Sequence, residues 1–278
     1  MRWTNNYNLP DRVIRVVNGK YKQTQPDINR LSVTDLIDDP LPRLLYIKFW
    51  EDIVSDYSDL LTMVQGTALH TRYEMNAGDD EVVEKKFTDV VNDLIVVGKA
   101  DSFFDTTILE VKQTGCYGPK YRMDKWTKQM NCYAWQRNKR GQEVTKLLVD
   151  IWYRDWKVNN RYWREYPQIP YECIELPLWD FKQTDKWVKQ MVAKHKDLPN
   201  YDTAAEYTKP CSDKQRGIRW EAYKGKNKTC TKVGETYPEV ASWVQKQKDV
   251  FTIIESEPVF CKLYCKSRSV CPHAGEFE

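Results

Sequence analysis

The chain has 278 residues, enough to bury a core of ordinary size, so its folding need not depend on covalent staples. Its 43 Lys and Arg against 40 Asp and Glu leave a formal charge of +3, too balanced to declare a nucleic-acid partner by itself, so any anion-binding surface has to be local. Residues 1–10 lack the basic-then-apolar pattern of a secretory leader, and no stretch reaches the length of a membrane span, which predicts a soluble cytoplasmic protein with no membrane partner.

In chain order, residues 31–40 offer a helix cap at Ser32 or Thr34 and a stop near Pro40, followed by an apolar helical segment over 44–50. Gly66-Thr67-Ala68-Leu69-His70 leads into Thr71-Arg72-Tyr73-Glu74, which sets His70 and Glu74 one turn apart on a helix face. Residues 93–104 and 108–112 read as two strands joined by a short turn at Asp105, which puts Asp101 on a strand beside Glu110. A period of two places Ile108, Glu110 and Lys112 on one face of the second strand and Leu109 and Val111 on the other.

Trp126, Met130, Tyr133, Ala134 and Arg137 follow helical spacing, and residues 146–153 form a further strand. Residues 180–196 read as a charged helix, 209–234 as polar and irregular, and 237–254 as a helix ahead of a cysteine segment. The 11 Trp and 17 Tyr can stack on unpaired bases, although each more often fills a core.

Two carboxylates on paired strands with a Lys on the same side suit phosphodiester hydrolysis. A hard divalent ion takes the carboxylates, and the ammonium orients water or offsets charge in the transition state. Asp101, Glu110 and Lys112 form such a set.

Gly98-Lys99-Ala100-Asp101 followed by Ile108-Leu109-Glu110-Val111-Lys112 resembles the paired acidic motif of PD-(D/E)XK nucleases. Gly66-Thr67-Ala68-Leu69-His70 resembles the upstream His motif of the RecB-like branch, and Gln129-Met130-Asn131-Cys132-Tyr133 its downstream Gln-x-x-x-Tyr motif. The resemblance implies a restriction-endonuclease-like α/β core, a mixed central sheet flanked by helices with a cysteine-bearing C-terminal region. It implies that His70, Asp101, Glu110 and the Val111 carbonyl hold Mg²⁺ or Mn²⁺, that Lys112 aids the attacking water, and that Gln129 and Tyr133 position substrate or catalytic groups.

Eight cysteines all follow position 115, and Cys261, Cys265 and Cys271 crowd the last twenty residues, which favours metal ligation over a disulfide framework. Related RecB-like nucleases, including CRISPR-adaptation exonucleases, close the domain with a four-cysteine iron–sulfur cluster whose first ligand lies near the N-terminus. This chain reads Asp38-Asp39-Pro40 there and has no Cys before Cys116. Cys211 is the preferred fourth ligand, Cys230 the competitor and His273 a third choice, and the centre is a 4Fe-4S cluster or Zn²⁺.

The expected organisation is a nuclease core with N-terminal helices over residues 1–200 and a cysteine-containing region over 201–278 packed on it. The expected function is a metal-dependent DNA nuclease, an end-processing exonuclease acting on free or single-stranded ends in recombination, repair or phage DNA metabolism. Two rivals stand beside it: a non-catalytic DNA-binding or assembly module that keeps the fold, and a nuclease subunit partnered by a helicase, recombinase or integrase.

Overall fold

A computed structural model describes residues 1–18, 25–163 and 165–274. The chain divides into two compact units, each drawn from separated stretches: one from residues 3–37 and 56–197, the other from residues 1–2, 38–55 and 198–278.

The first unit contains, in order, β1 (Arg30–Ser32), α1 (Leu61–Met75), β2 (Val82–Val83), β3 (Lys86–Val91), β4 (Leu94–Lys99), β5 (Ser102–Phe104), β6 (Thr107–Thr114), α2 (Gly118–Asn138), β7 (Lys146–Tyr153), β8 (Tyr171–Leu176) and α3 (Phe181–Lys196). A five-stranded sheet runs β8-β7-β6-β5-β2, and a three-stranded sheet runs β1-β4-β3. The larger sheet is mixed, because β6 pairs parallel with β7 and antiparallel with β5. The fold is thus α/β with a mixed central sheet flanked by helices, as the sequence predicts.

Local chemistry explains the joints. Ser32 caps the one-turn helix Val33–Leu36 by accepting the Asp35 N–H at 3.0 Å. Val91 pairs with Leu94 across Asn92 and Asp93, which take φ of 46° and 67°, the left-handed pair that a two-residue hairpin turn requires. Asp180 caps α3 through the Lys182 and Gln183 N–H groups, and Lys194, His195 and Lys196 occupy its last turn, where cations meet the negative end of the helix dipole. The core joins Met130, Cys132, Ala134 and Trp135 of α2 to Ile108, Leu147, Val149 and Ile151 of the sheet and to Val188 and Val192 of α3.

Residues 93–104 are not one strand. The chain leaves β4 at Lys99 and enters the other sheet at Ser102, so Asp101 stands at the break between strands, not on one. The physical reason is a hydrogen bond: one Asp101 carboxylate oxygen accepts the Val111 N–H at 2.7 Å, so a side chain bonds β6 at that point.

Just upstream, Gly98 lies so close to α2 that a Cβ there would stand 1.9 Å from the Gln136 side-chain oxygen and 3.1 Å from the Tyr133 ring. Gly98→Ala is therefore expected to destabilise the protein by roughly 1–3 kcal/mol through overpacking, read as a lower midpoint in denaturant unfolding.

In the second unit, Pro40 opens the helix Pro40–Lys48. A three-stranded antiparallel sheet has Trp220–Lys224 between Lys232–Gly234 and Phe251–Glu255. The helix predicted over 237–254 ends at Val244, and the segment read as irregular contributes two of these strands. Phe251-Thr252-Ile253-Ile254 is a β-branched and aromatic run, and it pairs with residues 220–224 beyond a polar stretch, Lys246 to Asp249, that separates it from the helix. No helix of the described residues is long and apolar enough to cross a membrane.

Candidate active site

The site is assembled from α1, the β4–β5 break, β6 and α2. His70 Nδ1, on α1, lies 2.9 Å from one Asp101 oxygen, while the other Asp101 oxygen takes the Val111 N–H. Glu110 and Lys112 share a face of β6, and Lys112 Nζ is 2.6 Å from Glu110 Oε1. From α2, Gln129 Nε2 donates to Glu110 Oε1 at 2.9 Å and to the Tyr133 hydroxyl at 2.8 Å, and Gln129 Oε1 accepts from Lys112 at 3.1 Å.

Gln129 and Tyr133 are each 6% exposed, so their contacts are inward. Their hydrogen bonds run to Glu110, to Lys112 and to each other. Glu74, one turn from His70, is exposed to solvent.

Burial pushes the Glu110 carboxyl above its ordinary range; the Lys112 ammonium opposes the rise and the Asp101 charge adds to it. The hydrogen bond with Asp101 raises the His70 imidazole above its usual value, with burial acting the other way. Burial also raises the Tyr133 phenol well above its usual value, which keeps it a neutral hydroxyl.

Glu110 Oε2 is buried and has no hydrogen-bond partner among the described residues, a cost of about 1–3 kcal/mol or more for a polar atom removed from water. A cation offsets that cost. Carboxylate oxygen with one imidazole nitrogen is a donor set that suits Mg²⁺ or Mn²⁺, so the residues fit a hard divalent ion.

Protons compete with such an ion for His70 and Glu110. Both groups hold their protons to higher pH than usual, so divalent-metal affinity is expected to rise with pH as they deprotonate, measured by calorimetric titration across the ordinary imidazole range and above it. A flat profile over that range would remove both side chains from the ligand set.

Two features escape the sequence reading. His70, Glu84 and Asp101 present ligand atoms within 4.8 Å of one another. Glu84 is brought there by the backbone: it adopts φ 53°, its N–H donates to the Asp101 carbonyl at 3.0 Å, and its carboxylate pairs with Lys99. In sequence, Glu84-Lys85-Lys86 reads as a solvated charge run. The second feature is Tyr73, whose hydroxyl donates to Asp150 at 2.9 Å and accepts from the Trp152 indole at 2.9 Å, tying the His70 helix to β7.

In the other unit, Cys211, Cys261, Cys265 and Cys271 line one small cavity with Leu41, Leu45 and Phe260. Burial pushes the Cys211 thiol up, and Asp39 and the other three cysteines add to the rise; burial takes Cys265 to about 11. Cys230 is elsewhere, in the loop between the strands Trp220–Lys224 and Lys232–Gly234, its thiol donating to the Lys232 carbonyl at 3.0 Å. A His273 ring nitrogen lies 2.8 Å from the Tyr207 carbonyl oxygen. Cys116 and Cys132 are buried and Cys173 is exposed, all in the first unit.

No family model and no curated protein sequence matches this chain. Among solved structures, its fold is similar to the crystal structure of SSO0001, with 15% identity and a TM-score of 0.46 over 71% of this chain and 91% of that one. It is similar to a phage-related exonuclease from Haemophilus somnus 129PT, with 13% identity and a TM-score of 0.31 over 48% of this chain and 66% of that one. It is also similar to an alkaline exonuclease (LHK-Exo) from Laribacter hongkongensis, with 12% identity and a TM-score of 0.37 over 61% of this chain and 89% of that one.

Proposed function

We propose that this chain is a divalent-metal-dependent deoxyribonuclease acting at DNA ends. The observation that carries the reading is Glu110: a buried carboxylate with one oxygen unpartnered and the other shared with Lys112 and Gln129, within electrostatic reach of Asp101 and His70. The motif order along the sequence supports it.

His70, Asp101, Glu110 and the Val111 carbonyl would hold Mg²⁺ or Mn²⁺, which supplies charge neutralisation at the phosphate and a more acidic water. Lys112, fixed by Glu110 and Gln129, orients the attacking water and offsets charge that develops on the phosphoryl oxygens. Gln129 keeps Glu110 Oε1 and Lys112 in register, and Tyr133 holds the Gln129 amide.

In the other unit we assign Cys211, Cys261, Cys265 and Cys271 to a second, structural centre. The resemblance puts a 4Fe-4S cluster ahead of Zn²⁺. We place the activity in recombination, repair or phage DNA metabolism, where a helicase, recombinase or integrase would deliver the DNA end.

The test is cleavage of end-labelled linear and circular DNA with Mg²⁺ or Mn²⁺, comparing the parent with Asp101→Ala. Cleavage of linear DNA alone, lost in the variant, supports an end-dependent nuclease. Cleavage of circles makes it an endonuclease, and cleavage by neither metal sinks the catalytic reading in favour of a DNA-binding module.

A further inference from the structure

Beyond the end of β6 lies a cavity of about 570 Å³ that the proposed chemistry does not use. Its lining includes five tyrosines, Tyr117, Tyr121, Tyr153, Tyr166 and Tyr171, together with Lys120. Cys116, also in the wall, follows Lys112 by four residues, so at strand rise the cavity begins at most about 13 Å along the chain from the catalytic lysine.

The walls are held by the protein's own bonds. Tyr166 accepts the Lys157 N–H at 2.7 Å and meets the Tyr117 ring edge-on at a centroid distance of 6.4 Å. Tyr153 donates its hydroxyl to Glu172, and Tyr171 donates to Asp150 at 2.8 Å. Tyr117 and Tyr121 are the exposed members, at 52% and 37%.

Such a lining fits a flat aromatic ligand. The acids Glu165 and Glu172 in the wall repel a phosphate, while Lys120 in the wall and two exposed residues beside it in the chain, Arg154 next to Tyr153 and Lys157 whose N–H bonds Tyr166, supply cations. A nucleotide matches both features, with its base among the tyrosines and its phosphates against these cations. A duplex keeps its bases stacked and cannot present one.

We infer that this cavity receives an unpaired base of single-stranded DNA, one or a few nucleotides from the bond cut at Lys112. The inference rests on the nuclease reading, because that reading supplies the strand that runs past the site. It adds a binding site and a substrate form, single-stranded at least where it passes the cavity.

The test is binding of fluorescently labelled oligothymidylate by anisotropy in excess chelator, so that nothing is cut, beside an abasic oligonucleotide of equal length and charge. Tyr117→Ala/Tyr121→Ala is expected to weaken oligothymidylate binding on the order of tenfold, as loss of base–aromatic stacking does. The same variant should bind the abasic strand as the parent does, and Tyr117→Phe/Tyr121→Phe should keep full affinity for both.

Unchanged affinity of the Ala variant for oligothymidylate, or an equal loss for the abasic strand, would overturn the proposal. Both tyrosines are solvent-exposed, and matching thermal melts identify a folded variant. The cleavage assay separates the two readings: stacking-dependent binding without cleavage by the parent sinks the nuclease reading alone, and cleavage with tyrosine-independent binding sinks the cavity alone.

Discussion

Glu110→Gln should abolish cleavage, by at least about a thousandfold, while leaving the protein folded. The substituted amide keeps the shape of the side chain and keeps an oxygen for Lys112 and Gln129, which both bond Oε1. It loses the charge that a divalent ion needs. Folding is affected far less, because the carboxylate it replaces is buried with Oε2 unpartnered and its protonation is already favoured by burial. The measurement pairs single-turnover cleavage with a denaturant melt. Lost activity with a midpoint within about 1 kcal/mol of the parent is the expected result, and retained cleavage removes Glu110 from the machinery.

On the proposed four-cysteine assignment, Cys265→Ser or Cys271→Ser should lower the metal content of the protein and unfold the unit that contains these cysteines. Thiols that burial raises above their ordinary range, as at Cys211 and Cys265, become thiolate ligands only when a cation compensates. A structural metal bound through thiolates contributes roughly 10–16 kcal/mol, more than the whole net stability of a typical domain. Elemental analysis for iron and zinc, visible absorption and the number of melting transitions check this together. Cys230→Ser is the control, because Cys230 bonds the carbonyl of Lys232 on the sheet and should leave metal content unchanged. Equal metal in all three variants, or none in the parent, would end the assignment.

The acidic strand pair was legible because chemistry and periodicity agree there: alternation along β6 places Glu110 and Lys112 on one face without help from distant sequence. The Gln129–Tyr133 spacing was equally local, one helical turn on α2. Asp101 was expected on a strand and stands between two. A run rich in β-branched residues looks continuous, and only the partner strands decide that it divides between two sheets.

Glu84 was hidden for a related reason. A left-handed φ at a Glu between Val83 and Lys85 has no sequence signature, and its approach to Asp101 depends on a backbone bond between residues far apart in the chain. The strand Phe251–Glu255 illustrates tertiary override. Its residues continue a helical pattern from Tyr237, yet the edge offered by residues 220–224 captures them.

The helix that carries His70 contributes no buried residue. Its side-chain hydrogen bonds include His70 to Asp101 at the β4–β5 break and, one turn on, Tyr73 to Asp150 and Trp152 of β7. Such a helix can detach with the hydrophobic core closed, so its amide protons should exchange with deuterium sooner than those of α2, and a divalent ion bound between His70 and Asp101 should slow that exchange. The ion would thereby act as a latch on the element that helps to bind it.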